Sequence, residues 1–236
     1  MGFSIYANIW IFLHVATVLS FFSSIILSFK NPFHLKDTYI VGTILHLYIA
    51  FLDLRVPSSI RNQPFSNRLL LDYSVHIVGC NILFFFLSGP SFSWTMVLGL
   101  TSFYQVLNFL VGQILPNHRG NWLLEKCQVL HQKLTNPPLA KVLLATLEIM
   151  SLMPSIAPGL SKGNIFFIFI AYLFWHVLYR YAVDNDHKQI WTQFRQKIAT
   201  LAYKLPTFLC NIIMNILNSF ERLGAVGCQI YTVKSN

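Results

Sequence analysis

Long apolar runs separated by short polar links dominate the first 183 residues of the chain. A bilayer core needs about 20 apolar residues in a helix that rises about 1.5 Å per residue. Runs near this length cover 4–29, 38–54, 69–87, 94–115, 139–157 and 165–183. The pattern predicts an all-α integral membrane protein with about six membrane-embedded helices. Four full spans with two shallow helices are the alternative.

Two of the links carry turn signals. The link 88–91 reads Ser-Gly-Pro-Ser, a combination typical of tight turns. Pro154, Pro158, Gly159 and Gly163 mark the link between the last two runs and are expected to end the fifth run. We therefore expect the third and fourth runs, and the fifth and sixth runs, to form antiparallel hairpins.

The remaining residues, 184–236, are predicted to form a separate tail domain with two amphipathic helices, after an embedded domain of residues 1–183. The predicted membrane-surface residues of the first helix are Lys188, Ile190, Trp191, Phe194, Arg195, Lys197, Ile198, Leu201 and Lys204. Those of the second helix, 206–222, are Phe208, Leu209, Ile212, Ile213, Ile216, Leu217 and Phe220. Apolar stripes of this kind favour helices that lie on a bilayer. Docking on the protein's own bundle, or in a partner's groove, is the alternative.

The distribution of Lys and Arg predicts on which side of the membrane each link lies. Thirteen of the 17 Lys and Arg residues lie in the links 55–68 and 116–137 and after residue 179, against three in the alternate links. The positive-inside rule then places these basic segments and both termini in the cytosol. Only 11% of the residues are charged, against about 25% in a soluble domain, which argues against a soluble protein. No nucleic-acid-binding motif accompanies the basic residues, so we expect no nucleic-acid partner.

The basic link 116–137 is itself amphipathic. Leu123, Cys127, Leu130 and Leu134 recur at helical spacing, and Trp122 at its start is typical of a membrane interface. The sequence predicts a short helix that either packs on the protein's own cytosolic face or contacts lipid.

Four ionisable residues inside apolar runs are the candidates for intramembrane chemistry. Asp72 and His76 lie four residues apart and therefore share a helix face. They could form a proton relay, a ligand pair or a structural hydrogen bond. Glu148 lies midway along the fifth run and needs a partner, because a bare charge there would cost a few kcal/mol. The fourth ionisable residue, His176, is one candidate partner of Glu148. Asn81 and Gln105 are the others.

The common metal-binding and phosphate-binding motifs are absent from the sequence. It contains no His-Glu-x-x-His, no Cys-x-x-Cys and no phosphate-binding glycine-rich loop. We therefore expect no enzymatic activity, no cofactor and no metal site. A small ion or proton channel or transporter built on Glu148 and His176 is an alternative, although paired broken helices are missing. An accessory subunit of a larger membrane complex is a further alternative.

Several segments in order along 69–198 resemble the transmembrane protein 33 family, which includes fungal pore-membrane and perinuclear relatives. They are Leu-Leu-Asp-Tyr-Ser-Val-His at 70–76, Leu-His-Gln-Lys-Leu at 130–134, Leu-Glu-Ile at 147–149, Leu-Met-Pro at 152–154 and Leu-Tyr-Arg-Tyr at 178–181. The resemblance implies a non-enzymatic protein of the endoplasmic reticulum membrane and nuclear envelope. It also implies reticulon-type or nuclear pore partners, with a tail that targets or shapes the lipid bilayer.

Overall fold

The chain folds into helices joined by short links. The computed structural model describes residues 5–55, 72–86, 90–118, 120–135, 139–159, 180 and 184–233, and no strand occurs among them. They belong to two compact units, Met1–Phe169 and Ile170–Asn236. The all-helical class predicted from the sequence is confirmed.

The first unit contains six helices in its described part. They are α1 (Ile5–Ser28), α2 (Asp37–Arg55), α3 (Tyr73–Phe86), α4 (Phe92–Phe109), α5 (Trp122–Thr135) and α6 (Leu139–Gly159). The second unit contains α7 (Asn185–Ala202) and α8 (Thr207–Val233), so its second helix extends past the predicted end at residue 222.

Three helical segments of the described chain are long and apolar enough to cross a membrane, namely Ile5–Ser28, Pro32–Arg55 and Phe92–Asn117. The second run is thus one of them once the 3-10 turn before α2 is included. In contrast, α3 has only 14 residues. The count of six embedded helices remains a prediction, and the sixth run, apart from Arg180, lies outside the described residues.

The ends of α1, α2 and α4 meet at two opposite faces of the first unit. At one face, the Tyr48 hydroxyl donates to the Tyr6 carbonyl at 3.0 Å, which joins the end of α2 to the start of α1. At the other, the Tyr39 hydroxyl donates to the Ser91 carbonyl and accepts from the Ser91 N–H, both at 2.9 Å. The start of α2 therefore meets the start of α4, so these two helices run parallel and α1 runs antiparallel to both.

The first unit buries polar side chains together with apolar ones and exposes long apolar stripes. Ile5, Phe12, Leu19 and Ile26 recur every seven residues along α1, and each is about two-thirds exposed. The buried sides of α1 and α2 include His14, Thr17, Ser24, Thr38 and His46 beside buried apolar residues. Apolar stripes of this extent are a liability in water. They suit helices surrounded by lipid, where polar groups pair with one another in the interior.

Small residues bring the helices of the first unit close together. A Cβ atom placed on Gly99 of α4 would lie 2.3 Å from Cγ of Phe21 on α1, which is far inside van der Waals contact. One placed on Gly42 of α2 would lie 3.1 Å from Cδ1 of Leu98 on α4. Small residues serve this purpose in membrane helix packing, because dispersion replaces the hydrophobic effect there.

Trp94 fills the centre of this packing. Its ring stacks on Phe84 with centroids 4.9 Å apart, and its Nε1–H donates to Asn81 Oδ1 at 2.8 Å. However, α3 packs chiefly along α2, and α4 packs chiefly along α1. The predicted hairpin of the third and fourth runs is therefore joined mainly through this tryptophan rather than along its length.

Two predicted turn regions can be compared with the structure in part. In the link 88–91, Ser91 caps α4, because its Oγ accepts from the Trp94 N–H at 3.3 Å. Pro154 does not end the fifth run as expected, since α6 continues past it, whereas Pro158 and Gly159 do lie at the end of the helix. A proline removes one backbone donor, and membrane helices accommodate this loss more often than soluble ones. Gly163 and the predicted hairpin of the fifth and sixth runs lie outside the described residues.

Candidate functional site

Glu148 is buried on α6, with 3% of its surface exposed. The Tyr73 hydroxyl of α3 donates to its Oε1 at 3.1 Å. Asn81, a predicted partner, instead accepts from Trp94. Gln105 is not among the described partners of Glu148, and His176 lies outside the described residues. The carboxyl group thus ties α6 to α3 through a tyrosine that was not among the predicted partners.

Asp72 and His76 lie at the start of α3. Asp72 Oδ1 accepts from the Val75 N–H at 3.0 Å, so Asp72 caps the helix and places a negative charge at its positive end. His76 is buried one turn later. The geometry gives Asp72 a defined role in starting α3, directly before the tyrosine that reaches Glu148.

Two further polar residues extend this site without having been predicted as part of it. His46 Nδ1 on α2 lies 3.2 Å from Ser74 Oγ, and its ring meets Tyr73 edge-on with centroids 6.2 Å apart. We call His46, Tyr73, Ser74 and Glu148 the polar cluster. It links α2, α3 and α6 by hydrogen bonds inside the apolar unit, which is a packing role. Within the described part of the chain, no group of three His, Cys, Asp or Glu residues could hold a metal ion.

The helix predicted in the link 116–137 is present as α5, but its packed face differs from the predicted stripe. His131 stacks on Tyr104 of α4, with centroids 5.8 Å apart, and its Nε2 hydrogen-bonds Asn108 Oδ1. Cys127 and Leu134 of the stripe are half-buried, whereas Leu123 and Leu130 are exposed. The side of α5 that carries His131 therefore packs against α4, and this side differs from the predicted apolar stripe.

The outer side of α5 mixes apolar and basic residues. Exposed along it are Trp122, Leu123, Lys126, Val129, Leu130 and Lys133. This mixture suits the boundary between lipid and water. Lipid contact by this outer side remains a prediction.

The tail unit begins its first helix at a charged cap. Asp184 Oδ1 accepts from the His187 N–H at 3.3 Å, and Arg180 pairs with the Asp184 carboxylate at 2.9 Å. The carboxylate satisfies a free N–H and complements the helix dipole. Both predicted tail helices are present in the structure.

Among the tail side chains that the structure describes, the most exposed apolar ones lie where α7 ends and α8 begins. We call Leu201, Tyr203, Leu205, Phe208, Leu209 and Ile212 the apolar connection. Four of them belong to the predicted membrane-surface set, and Tyr203 and Leu205 do not. The rest of the predicted stripe is less exposed, since Ile190, Trp191, Phe194, Ile198 and Ile213 are half-buried and Leu217 is buried. The side chains of Ile216 and Phe220 lie outside the described residues.

The predicted basic face of α7 divides into two groups. Arg195 donates to Asn218 Oδ1 at 3.0 Å and pairs with Glu221 Oε2 at 2.9 Å, so it holds α8 against α7. Lys188, Lys197 and Lys204 are exposed. The prediction for Arg195 therefore needs a correction, because its guanidinium is engaged within the tail by two side chains one helical turn apart.

No family model, no curated protein and no solved structure matches this chain. The resemblance to the transmembrane protein 33 family therefore remains a prediction, and no family is assigned.

Proposed function

We propose that this chain is a non-enzymatic, multi-pass membrane protein that organises membrane shape or scaffolds partner membrane proteins. The helices of the first unit anchor it in the bilayer, and the tail inserts its apolar connection into the cytosolic leaflet. The observation that carries the proposal is the exposure of six large apolar side chains within residues 201–212. A soluble surface rarely holds such a cluster, and a membrane-binding surface commonly does.

Insertion of the apolar connection into one leaflet would change the shape of the bilayer. Shallow apolar groups displace headgroups in one leaflet only, and the resulting difference in area favours a curved bilayer. Lys197 lies one helical turn before the connection, Lys204 lies within it, and both are exposed. Each adds about 1 kcal/mol of attraction near an anionic surface. The tail would then prefer curved membranes that carry negative charge.

The finer features of the proposal come from charge and resemblance. The distribution of Lys and Arg supports cytosolic termini, and about six embedded helices would complete the topology. The resemblance favours the endoplasmic reticulum membrane and nuclear envelope, with reticulon-type or nuclear pore proteins as partners. No cofactor and no nucleic acid take part.

The test uses the full chain reconstituted into vesicles of phosphatidylcholine and phosphatidylserine. We expect the protein to convert large vesicles into smaller vesicles or tubules, as electron microscopy would show. The variant Phe208→Ser/Leu209→Ser should abolish this conversion, because it removes two members of the apolar connection. Gln193→Ser/Gln196→Ser is the matched control, since it changes two exposed polar positions of α7 to the same residue.

Two outcomes would redirect the proposal. If Phe208→Ser/Leu209→Ser deforms vesicles as well as the unchanged chain does, insertion of the connection is not the cause of curvature. If the unchanged chain leaves vesicles intact and copurifies with a defined membrane complex, the accessory-subunit alternative is favoured instead.

The channel or transporter alternative depends on Glu148. Its described hydrogen bond joins two helices, which favours a packing role. Proton or ion flux into vesicles that is lost in Glu148→Gln would support transport and contradict the scaffold proposal. We expect no flux from either protein.

A further inference from the structure

An open groove lies in the first unit where the start of α1 meets the ends of α2 and α4. Its volume is about 450 Å³, within the range of about 300–1,000 Å³ typical of small-ligand sites. It is lined by Tyr6, Ala7, Trp10, Leu52, Phe109 and Gln113. The lining is mostly aromatic and aliphatic, so the groove suits an acyl chain better than a polar ligand.

A positive charge is held beside this groove. Arg55 donates from Nη1 to the Tyr6 hydroxyl at 3.3 Å, and its guanidinium lies over the rings of Tyr6 and Phe51, at 5.8 and 5.2 Å. The side chain is exposed, and it forms no ion pair within the part of the chain that the structure describes. A guanidinium fixed in this way can receive phosphate or carboxylate oxygens through paired N–H groups.

The wall formed by α4 is irregular at the same place. The helix passes into a π-helical turn, Leu110–Ile114, and Gln113 of this turn lines the groove. A Cβ atom added to Gly112 would meet nothing within 4 Å, so the turn is open at this position. Single π-helical turns are rare and occur frequently at functional sites.

We propose that the groove binds one anionic phospholipid of the leaflet at this face. Arg55 and the Tyr6 hydroxyl contact its headgroup, and Trp10, Leu52 and Phe109 contact the upper part of an acyl chain. Tyrosine and tryptophan are the residues that prefer this depth of a bilayer. The proposal rests on the membrane placement of the first unit in the proposed function, and it is independent of the tail.

The experiment titrates the full chain in detergent with phosphatidylserine or phosphatidylcholine and counts bound lipids by native mass spectrometry. We expect one phosphatidylserine to bind about fivefold more tightly than phosphatidylcholine, the effect of one basic residue on an anionic headgroup. Arg55→Gln should remove this preference. Lys30→Gln, which changes an exposed charge at the opposite face of the unit, should keep it.

A second pair of variants tests the groove itself. Ala7→Phe fills the groove and should weaken the binding of both lipids, whereas Val15→Phe alters an exposed position on the same helix outside the groove and should not. Equal binding of the two lipids by the unchanged chain would overturn the proposal, and so would full binding by Ala7→Phe. Failure of the chain to float with vesicles would instead contradict the proposed function.

Discussion

The first unit and the tail differ in where they expose apolar side chains. On α1, exposed positions such as Phe12 and Leu19 recur along the whole helix, and polar residues pair inside, as Ser24 does with Thr38 at 3.0 Å. In the tail, the most exposed of the described apolar residues gather at one connection, and the pair of Arg195 with Glu221 lies at the surface. A continuous stripe suits a helix surrounded by lipid. A local cluster beside surface ion pairs suits a unit at the membrane boundary.

The largest effect is expected in the interior of the first unit. Trp94→Ala removes a stacked ring and an interhelical hydrogen bond, and it should lower the free energy of unfolding by about 3 kcal/mol. This is the low end for such a change, because lipid solvates apolar groups as well as the interior does. Thermal and denaturant unfolding in detergent micelles measures the loss. Trp122→Ala, at an exposed tryptophan, is the control, and an equal loss there would erase the contrast between interior and boundary.

Close packing of α1 on α4 gives the next effect. Gly99→Ala forces the Phe21 ring to move, since the added Cβ would lie 2.3 Å from its Cγ. We expect a loss of about 2 kcal/mol in the same unfolding assay. Gly112→Ala adds the same atom where nothing lies within 4 Å, and it should be nearly neutral. Equal losses from the two alanines would mean that α1 and α4 are not packed as described.

The polar cluster should contribute less. Tyr73→Phe removes the hydroxyl that binds Glu148 and should cost about 0.6 kcal/mol, the average for interhelical hydrogen bonds in membrane proteins. Combining it with Glu148→Leu, which removes the acceptor, in a double-mutant cycle isolates the pair. Independent effects of the two substitutions would show that the pair does not couple α3 to α6.

The surface pair of the tail should matter least for stability. Arg195→Gln weakens the contacts of Arg195 with Asn218 and Glu221, which are partly exposed, so we expect about 0.5 kcal/mol, falling as salt is added. Amide hydrogen exchange around residues 215–221 of α8 reports the change. Lys197→Gln leaves this contact intact, and exchange in that variant should match the unchanged chain. Faster exchange in both variants would assign the effect to net charge instead.

Much of the helical framework could be predicted from hydrophobic runs alone. The apolar runs locate α1, α2, α4 and α6. The length and hydrophobicity of a segment decide whether it forms a membrane helix, and both can be read from that segment alone. The tail helices were predicted from periodicity, and they too depend mainly on local sequence. The end of α6 lies within two residues of the predicted end, whereas Pro154 does not end the helix, because proline is a weaker signal in a membrane helix than in a soluble one.

Contacts between segments could not be predicted in the same way. Tyr73 binds Glu148 only because α3 lies beside α6 at that point, and neither run carries information about the other. The same reason hid the stacking of His131 on Tyr104, which sets the rotation of α5, and the use of Arg195 within the tail. Such partners depend on tertiary packing, so the corrections to the predicted site concern contacts between helices.

The depth of the apolar connection tests the central claim most directly. A spin label is attached to the full chain at Phe208→Cys or at Gln193→Cys, with the four native cysteines replaced by alanine, in vesicles that contain phosphatidylserine. Collision with oxygen reports lipid, and collision with a nickel chelate reports water. We predict that the label at position 208 collides mainly with oxygen and the label at position 193 mainly with nickel. Equal nickel access at both positions would contradict insertion of the apolar connection into the membrane.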